Sequence, residues 1–339
     1  MNWTILVTGG AGFIGSNYIR YMLSAYPDAK IINLDKLTYS GNLTNLRDVE
    51  HDTRYEFVRG DIADEKVVNP LVDRADVIVN FAAESHVDRS IVDPHVFLRT
   101  NIDGPYALLE AARKSGIKRF VQVSTDEVYG EVMTGHSREG DTLLPRSPYS
   151  ASKAAGELLA RSYFVTYGIP VVITRGSNTI GPYQYPEKVV PLFVTNAIDD
   201  QSLPIYGPGT AVRDYMHVED HCRGVDFALR YGQPGEAYNV GAGNEVNTLQ
   251  LASAICTALD KPESLVRHVK DRPGHDQRYS VSSEKLQALG WKLRYTFEEA
   301  LEATVSWYRE NEWWWRPIKT GEYARWYESH YGLSTKGKS

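Results

Sequence analysis

The sequence predicts an α/β chain with a doubly wound parallel sheet and a smaller C-terminal lobe. Three observations lead there. Short β-branched and aliphatic runs alternate with helical patterns through the first half, as βαβ units require. A glycine-rich segment joins the first such run to the first helical pattern. After about residue 176 the texture changes, and Gly181-Pro182, Pro186, Pro191, Pro204, Gly207-Pro208-Gly209 and Pro273-Gly274 punctuate the chain.

Strands are predicted at residues 5–8, 31–34, 55–58, 77–81 and 120–123, nearly continuous apolar runs of the kind buried on both faces of a parallel sheet. Helices are predicted at 13–23, 98–114, 147–163, 218–229, 249–259 and 296–310. Ser147 is the expected N-cap of the third, with Pro148 in its first turn. The expected division is residues 1–176, mainly dinucleotide-binding; 177–332, mainly a substrate lobe with chain crossings between the two; and 333–339, a flexible tail. Trp313-Trp314-Trp315 and Trp326 read as a packed aromatic cap.

A chain of 339 residues, 42% hydrophobic and 24% charged, is long enough for a large core and too ordinary in composition to be disordered or fibrous. A net charge of −6 gives no general attraction to nucleic acid or anionic membrane, yet leaves room for a local basic pocket. Cys222 and Cys256 are too few for a disulfide framework, and no Cys/His cluster predicts a metal. The N-terminus has no leader-like pattern, and no window reaches the roughly 18 apolar residues of a membrane span. The expectation is a soluble, cytoplasmic protein.

The glycines at 9, 12 and 15 are spaced G-x-x-G-x-x-G between strand and helix. Glycine permits a tight turn and close approach of backbone N–H groups to a pyrophosphate, which the helix N-terminus also favours. Asp35 follows 20 residues after Gly15, at the end of the second predicted strand, where a carboxylate accepts ribose hydroxyls and repels a 2′-phosphate. A Rossmann sheet binding NAD rather than NADP is the reading, with Lys36 the one residue against it. Asp61, after the third strand, is placed to meet the adenine amine or merely to be solvated.

Tyr149 and Lys153 form Tyr-x-x-x-Lys, and the i, i+4 spacing puts them on one helix face. A neighbouring ammonium is expected to lower the phenol's pKa and let it take a hydroxyl proton during hydride transfer. Ser124-Thr125-Asp126-Glu127 follows the strand at 120–123, at the carboxyl edge where open α/β sheets bind ligands. Adjacent acids there are either loop solvation or a general acid and base with separated pKa values.

With these residues in view, the chain resembles the extended short-chain dehydrogenase/reductases and, among them, the dTDP-glucose 4,6-dehydratases, from Gly9 through Tyr331. The motifs are Leu37-Thr38-Tyr39-Ser40-Gly41-Asn42, Ala82-Ala83-Glu84-Ser85-His86-Val87-Asp88-Arg89-Ser90, Ser124-Thr125-Asp126-Glu127-Val128-Tyr129-Gly130, Pro186-Glu187-Lys188, Arg213-Asp214 and Asp271-Arg272-Pro273-Gly274-His275-Asp276. The resemblance implies a lyase with tightly held, recycled NAD. Tyr149 removes the glucose 4-hydroxyl proton as C4 gives up hydride, and Thr125 hydrogen-bonds near that hydroxyl. Glu127 removes the C5 proton, Asp126 protonates the departing 6-hydroxyl, and hydride returns to C6.

The resemblance also implies cofactor contacts at Phe13, Ile14, Asp35, Lys36, Leu37, Thr38, Asp61, Ile62, Ala82, Ala83, Ser85, Thr100, Tyr149, Lys153 and Thr179. It implies nucleotide-sugar contacts at Ser85, Thr125, Asn178, Lys188, Val189, Pro204, Ile205, Tyr206, Arg213, Asn247, Arg272, His275 and Tyr331. Arg213 and Arg272 suit a diphosphate, and Tyr206 offers an aromatic face to the base. A homodimer through a four-helix contact is implied, with no nucleic-acid or membrane partner. The family usually reads Arg-Cys-Ser-Asn-Asn-Tyr-Gly-Pro where this chain has Arg175-Gly176-Ser177-Asn178-Thr179-Ile180-Gly181-Pro182. Thr179 and Ile180 are expected to loosen the nicotinamide contact or reshape the sugar pocket, and Gly176 to change packing.

Three other functions use much of the same sequence. A nucleotide-sugar 4-epimerase shares the glycine loop, Tyr149 and Lys153, but has no use for Asp126 and Glu127. A UDP-sugar 4,6-dehydratase differs by one methyl group on the base, worth about 1–3 kcal/mol in a pocket. A non-catalytic NAD- or nucleotide-sugar-binding regulator has no need of all five residues Thr125, Asp126, Glu127, Tyr149 and Lys153.

Overall fold

The computed structural model describes residues 2–333; positions 334–339 of the predicted tail lie outside the described residues. Seven strands form the central sheet: β1 (Thr4–Thr8), β2 (Lys30–Asp35), β3 (Tyr55–Arg59), β4 (Val77–Asn80), β5 (Arg119–Thr125), β6 (Val171–Gly176) and, after further strands, β10 (Ala237–Val240). Their spatial order is β10-β6-β5-β4-β1-β2-β3, and every pairing is parallel. The order reverses between β1 and β4, and a crevice opens there at the strands' carboxyl ends. All five predicted strands are present, each within two residues of its expected bounds.

Side-chain alternation along the strands builds one core on each face. Ile5, Val7, Val77, Val79, Val121 and Val123 pack with α1 (Phe13–Ala25) and with α8 (Val218–Tyr231). Leu6, Ile32, Leu34, Ile78 and Phe120 pack on the opposite face with α2 (Glu65–Val72), α5 (Gly104–Ser115) and α6 (Pro148–Tyr167). Ser147 caps α6 by accepting from Ser150 N at 3.1 Å, and Pro148 is its first residue, as the sequence predicts.

The helix expected at 98–114 is interrupted. Short helices α3 (Val87–Val92) and α4 (His95–Leu98) lead into a wide turn at Arg99–Asp103 before α5 begins. Asn101 in that turn donates to the Glu84 carbonyl at 3.0 Å and to Ser152 Oγ at 2.9 Å. Gly156 lets α6 come this close, because a Cβ there would collide with the Asn101 carbonyl.

The remaining elements build the second lobe. They are β7 (Asn178–Ile180), α7 (Val189–Ile198), β8 (Leu203–Tyr206), β9 (Val212–His217), β11 (Glu245–Asn247), α9 (Thr248–Ala258), β12 (Val266–Val269), α10 (Glu284–Ala288), α11 (Phe297–Glu310), α12 (Glu312–Ile318) and α13 (Glu322–Tyr331). Strands β11-β9-β7 and β12-β8 make two small sheets over a core that includes Phe193, Ile205, Tyr215, Trp314 and Trp315. Two of the three consecutive tryptophans therefore pack as the expected cap, and Trp313 is half exposed. Trp314 Nε1 donates to Asn45 Oδ1 at 2.8 Å, tying the cap to the N-terminal half. The chain recrosses after residue 176: α8 and β10 return to the large sheet.

A buried ion pair fixes α6 to β6. Arg175 reaches Glu157 through Nη2 at 2.6 Å and through Nε at 3.1 Å, and its Nη1 donates to Tyr129 Oη at 2.6 Å. Removing one partner leaves the other charge buried and uncompensated. Glu157→Ala is expected to lower unfolding free energy by about 3–5 kcal/mol in guanidinium titrations; a loss under about 1 kcal/mol contradicts the assignment of this pair as the clamp.

Candidate active site

Gly9 begins the loop between β1 and α1. Its φ of 69° is in the left-handed region, and a Cβ there would lie 2.6 Å from Ala82 N. Glycine is thus required both for the turn and for the close approach of β4's exit. Gly12 precedes α1 and supplies no side-chain cap, so the first N–H groups of the helix stay available toward the crevice. Asp35 accepts from Ala11 N at 2.9 Å and from Leu37 N at 2.8 Å, which fixes its carboxylate beside the glycine loop. Burial raises its pKa, and those two backbone bonds oppose the rise. A cradle of N–H groups with an anchored acid beside it fits the pyrophosphate and adenosine ribose of NAD.

The crevice is lined by Gly9, Gly12, Phe13, Ile14, Gly15, Asp35, Lys36, Thr38, Asp61, Ile62, Ala82, Ala83, Ser85 and Thr100, and farther along by Thr125, Asp126, Glu127, Tyr149, Lys153, Asn178, Thr179 and Lys188. Leu37 takes part through its backbone, at φ 58°. Asp61 is occupied: Lys36 Nζ lies 2.8 Å away, Arg99 3.4 Å, and Ala63 N donates to it at 3.0 Å. Burial pushes its pKa up, but Lys36, the Ala63 N–H and Arg99 together bring it below the usual value. The same pair neutralises Lys36, the one residue that spoke for NADP.

At the far end, β5 delivers Thr125 and then a single turn carrying Asp126 and Glu127. Thr125 Oγ1 accepts from Glu127 N at 3.3 Å and donates to Asp126 Oδ1 at 3.2 Å. The other oxygen, Asp126 Oδ2, is buried without a partner. Burial, then the charges of Glu127 and Asp214, push the Asp126 pKa up to about 8. Burial raises the Glu127 pKa as well, and Arg272, Lys188 and Arg213 offset only part of that rise. The two carboxyls of the turn thus sit in different fields: Glu127 and Asp214 add to the effect of burial at Asp126, and three cations oppose it at Glu127.

The Tyr149 phenol differs from expectation. Burial raises its pKa, as do Glu127 and Asp126, and a hydrogen bond with Thr125 lowers it. Lys153 is not among the groups that lower it; its Nζ donates to the Val123 carbonyl at 2.6 Å. Burial, opposed by Glu157, brings the lysine itself down to about 8.

Against this geometry the profile of the GDP-mannose 4,6 dehydratase family matches residues 6–304. A dTDP-glucose 4,6-dehydratase of Streptomyces niveus is 48% identical over 94% of this chain and 97% of its own. DesIV, the dTDP-glucose 4,6-dehydratase of Streptomyces venezuelae solved with NAD and dTDP bound, superposes with a TM-score of 0.92 at 49% identity, covering 93% of this chain and all of that one (100%). The chain belongs to the dTDP-glucose 4,6-dehydratase family. The fold alone does not set it apart, since a UDP-glucose 4-epimerase of Thermus thermophilus superposes with a TM-score of 0.84 at 33% identity over 91% of this chain and 99% of its own.

For a family member, the second lobe should carry the nucleotide-sugar contacts, and the structure gathers several of those expected. Tyr206 Oη donates to Asp88 Oδ2 at 3.1 Å, Arg272 Nη1 donates to Asp88 Oδ1 at 3.2 Å, and Tyr206 lies within 6.0 Å of both His275 and Tyr331, ring centre to ring centre. Arg272 Nε is buried without a partner. His275 Nδ1 meets Asp271 Oδ1 at 2.7 Å. Arg213 is buried with its guanidinium over Tyr279 and donates to the Val212 and Asp276 carbonyls. Lys188 Nζ donates to the Ser85 carbonyl at 2.7 Å.

Other expected contacts serve the fold. Ile205 is buried in the second core, and Pro204 beside it is buried in β8, paired with β12. Val189 opens α7 and packs on the same core. The Asn247 side chain caps α9 by accepting from Gln250 N at 2.8 Å. Ile180, expected to reshape the sugar pocket, is only 1% exposed and packs in the second core, because its place in β7 turns it inward. Gly176 does more than change packing, since a Cβ there would meet the His221 ring. His221, Gln184 and Tyr185 line the crevice and were not singled out; nothing in their sequence surroundings marks them.

Asp126 links stability to pH. From 3.8, its ordinary value, to about 8, the folded chain keeps a proton that the unfolded chain has lost. The group therefore costs increasing stability as pH rises through that window. Asp126→Asn is expected to stabilise the fold at pH 7, by on the order of 2 kcal/mol, and to leave it nearly unchanged at pH 4. Equal effects at both pH values in denaturant titrations would contradict the raised pKa.

Proposed function

We propose that this chain dehydrates dTDP-glucose to dTDP-4-keto-6-deoxyglucose, with NAD held in the crevice and recycled in each turnover. The observation that carries this reading is the Asp126-Glu127 pair beside Tyr149, with Asp126 buried and Glu127 half-buried within the fields of three cations. NAD, when bound, accepts hydride from C4 and returns it to C6. The glycine loop, the N-terminus of α1 and Asp35 hold its adenosine and pyrophosphate, and Lys153 and Thr179 flank its other end. Tyr149 takes the proton of the 4-hydroxyl, and Thr125 keeps phenol and hydroxyl in register. Glu127, whose ionised form Arg272, Lys188 and Arg213 favour, removes the proton from C5, which the adjacent ketone has acidified. Asp126 holds a proton at neutral pH and gives it to the 6-hydroxyl as water leaves.

The cationic side chains of Arg213 and Arg272 support a diphosphate in the second lobe, and Tyr206 supports a base stacked near them. Asn178, Lys188 and Ser85 complete the wall toward the sugar. An epimerase reverses C4 without touching C5, so it gains nothing from placing two carboxyls here. We divide the chain as the sequence does, at about residue 176, with α8 and β10 returning to the nucleotide-binding half. Cys222 and Cys256, both free and buried, support a reduced, cytoplasmic setting. Among the described residues no helix is long and apolar enough to cross a membrane. Exposed Tyr106, Leu158, Val165 and Tyr167 on α5 and α6 support a homodimer through those helices. Light scattering is expected to give twice the chain mass; a monomer at working concentration contradicts the dimer.

Mass spectrometry tests the reaction directly. Purified protein given dTDP-glucose and no added NAD is expected to yield a product lighter by one water. Loss of water from UDP-glucose or UDP-N-acetylglucosamine alone moves the substrate, and an isomer of unchanged mass means epimerisation. Glu127→Gln is expected to bind substrate but to lose about 10²–10⁴ in dehydration rate, the range of general-base catalysis. Wild-type turnover by that variant removes Glu127 from the mechanism. Tyr149→Phe should lose the initial oxidation by a similar factor.

A further inference from the structure

His221 has no part in the chemistry described above, yet it lies in the wall of the same crevice. It is 2% exposed and neutral, and its Nε2 is buried without a hydrogen-bond partner. An unpaired polar atom in such a place is costly unless something meets it. The ring is held firmly. Thr179 Oγ1 lies 2.7 Å from Nδ1 and 3.2 Å from the Ser177 carbonyl. Assigning the threonine's one proton to that carbonyl makes it the acceptor of Nδ1–H and leaves Nε2 as a lone-pair acceptor.

Its place in the fold says what it faces. Gly176 is the register partner of Thr125 across β5 and β6. A Cβ on Gly176 would lie 2.5 Å from His221 Cε1 and 2.7 Å from Nε2, so the ring occupies space that only glycine leaves open. The neighbouring residue, Cys222, contacts the carbonyl of Ile14, in the first turn of α1 after the glycine loop, at 3.8 Å. The imidazole thus stands between the loop that holds the pyrophosphate and the strand end that carries the chemistry. On the reading of the site as an NAD-dependent dehydratase, the nicotinamide ring must lie there, and its polar substituent is a carboxamide.

We propose that His221 Nε2 accepts a hydrogen bond from the carboxamide N–H of the nicotinamide and so fixes the ring's rotation, with Gly176 making the room and Thr179 setting the tautomer. His221 is a binding and positioning residue that exchanges no proton with the sugar.

The test is a competition in the purified holoenzyme. The protein is equilibrated with mixtures of NAD and 3-acetylpyridine adenine dinucleotide, whose methyl ketone keeps the carbonyl and lacks the amide N–H. Bound dinucleotides are then released in acid and quantified by mass spectrometry. The wild-type protein is expected to prefer NAD by about tenfold, as one neutral hydrogen bond allows. In His221→Ala that preference should fall to about twofold or less. Gly176→Ala, which displaces the ring without deleting it, and Thr179→Val, which removes its anchor, should reduce the preference as well and serve if His221→Ala does not fold. Unchanged preference in the variants that fold overturns the inference while leaving the dehydratase reading intact. Wild-type protein that neither carries nor takes up NAD overturns both.

Discussion

Asp126 and Glu127 leave the end of β5 in consecutive positions, and two carboxylates that close cannot both stay ionised where water is scarce. Everything around them divides the difference. Asp126 turns inward, where one oxygen meets only Thr125 and the other has no partner. Glu127 lines the same crevice, where the fields of Arg272, Lys188 and Arg213 reach it. The same residue chemistry thus gives an acid and a base, and the split depends on the backbone. Thr125, in capping the turn with its hydroxyl, sets which carboxyl points which way.

That arrangement requires cations, and the chain recruits them from far away. Lys188 precedes α7, Arg213 lies in β9, and Arg272 follows β12. Each is held by protein oxygen: Lys188 by the Ser85 carbonyl, Arg213 by two backbone carbonyls, and Arg272 by Asp88. Backbone carbonyls position the Arg213 guanidinium without neutralising it. Asp88 acts differently. It binds Arg272 and Tyr206 together, and its charge partly balances the arginine. Burial of isolated cations would be prohibitive; burial of cations with oriented dipoles and one shared carboxylate is tolerable. The second lobe is therefore more than a lid over the sheet, because its positive charges offset part of the burial cost of a carboxylate in the turn after β5.

What could be read from the chain and what could not separate along a physical line. The strands of the large sheet are buried on both faces, so their apolar runs are continuous, and the five predicted ones are all present. The glycine loop, Asp35 and the β5 turn were also legible, because each is a short segment whose chemistry lies in adjacent residues. The helix at 98–114 was not fully legible: its composition is helical throughout, and the wide turn at Arg99–Asp103 exists because Asn101 must reach Glu84 and Ser152. Ile180 was misplaced because in β7, a strand of three residues, alternation has too few positions to tell inward from outward. The role expected for the Lys153 ammonium rested on helical spacing, which gives proximity but not the competing acceptor on Val123. His221 shows the limit most clearly. In the sequence it is one polar residue within an amphipathic helix, and what sets it apart is a methyl group absent from Gly176, a neighbour through the fold and 45 positions away in the chain.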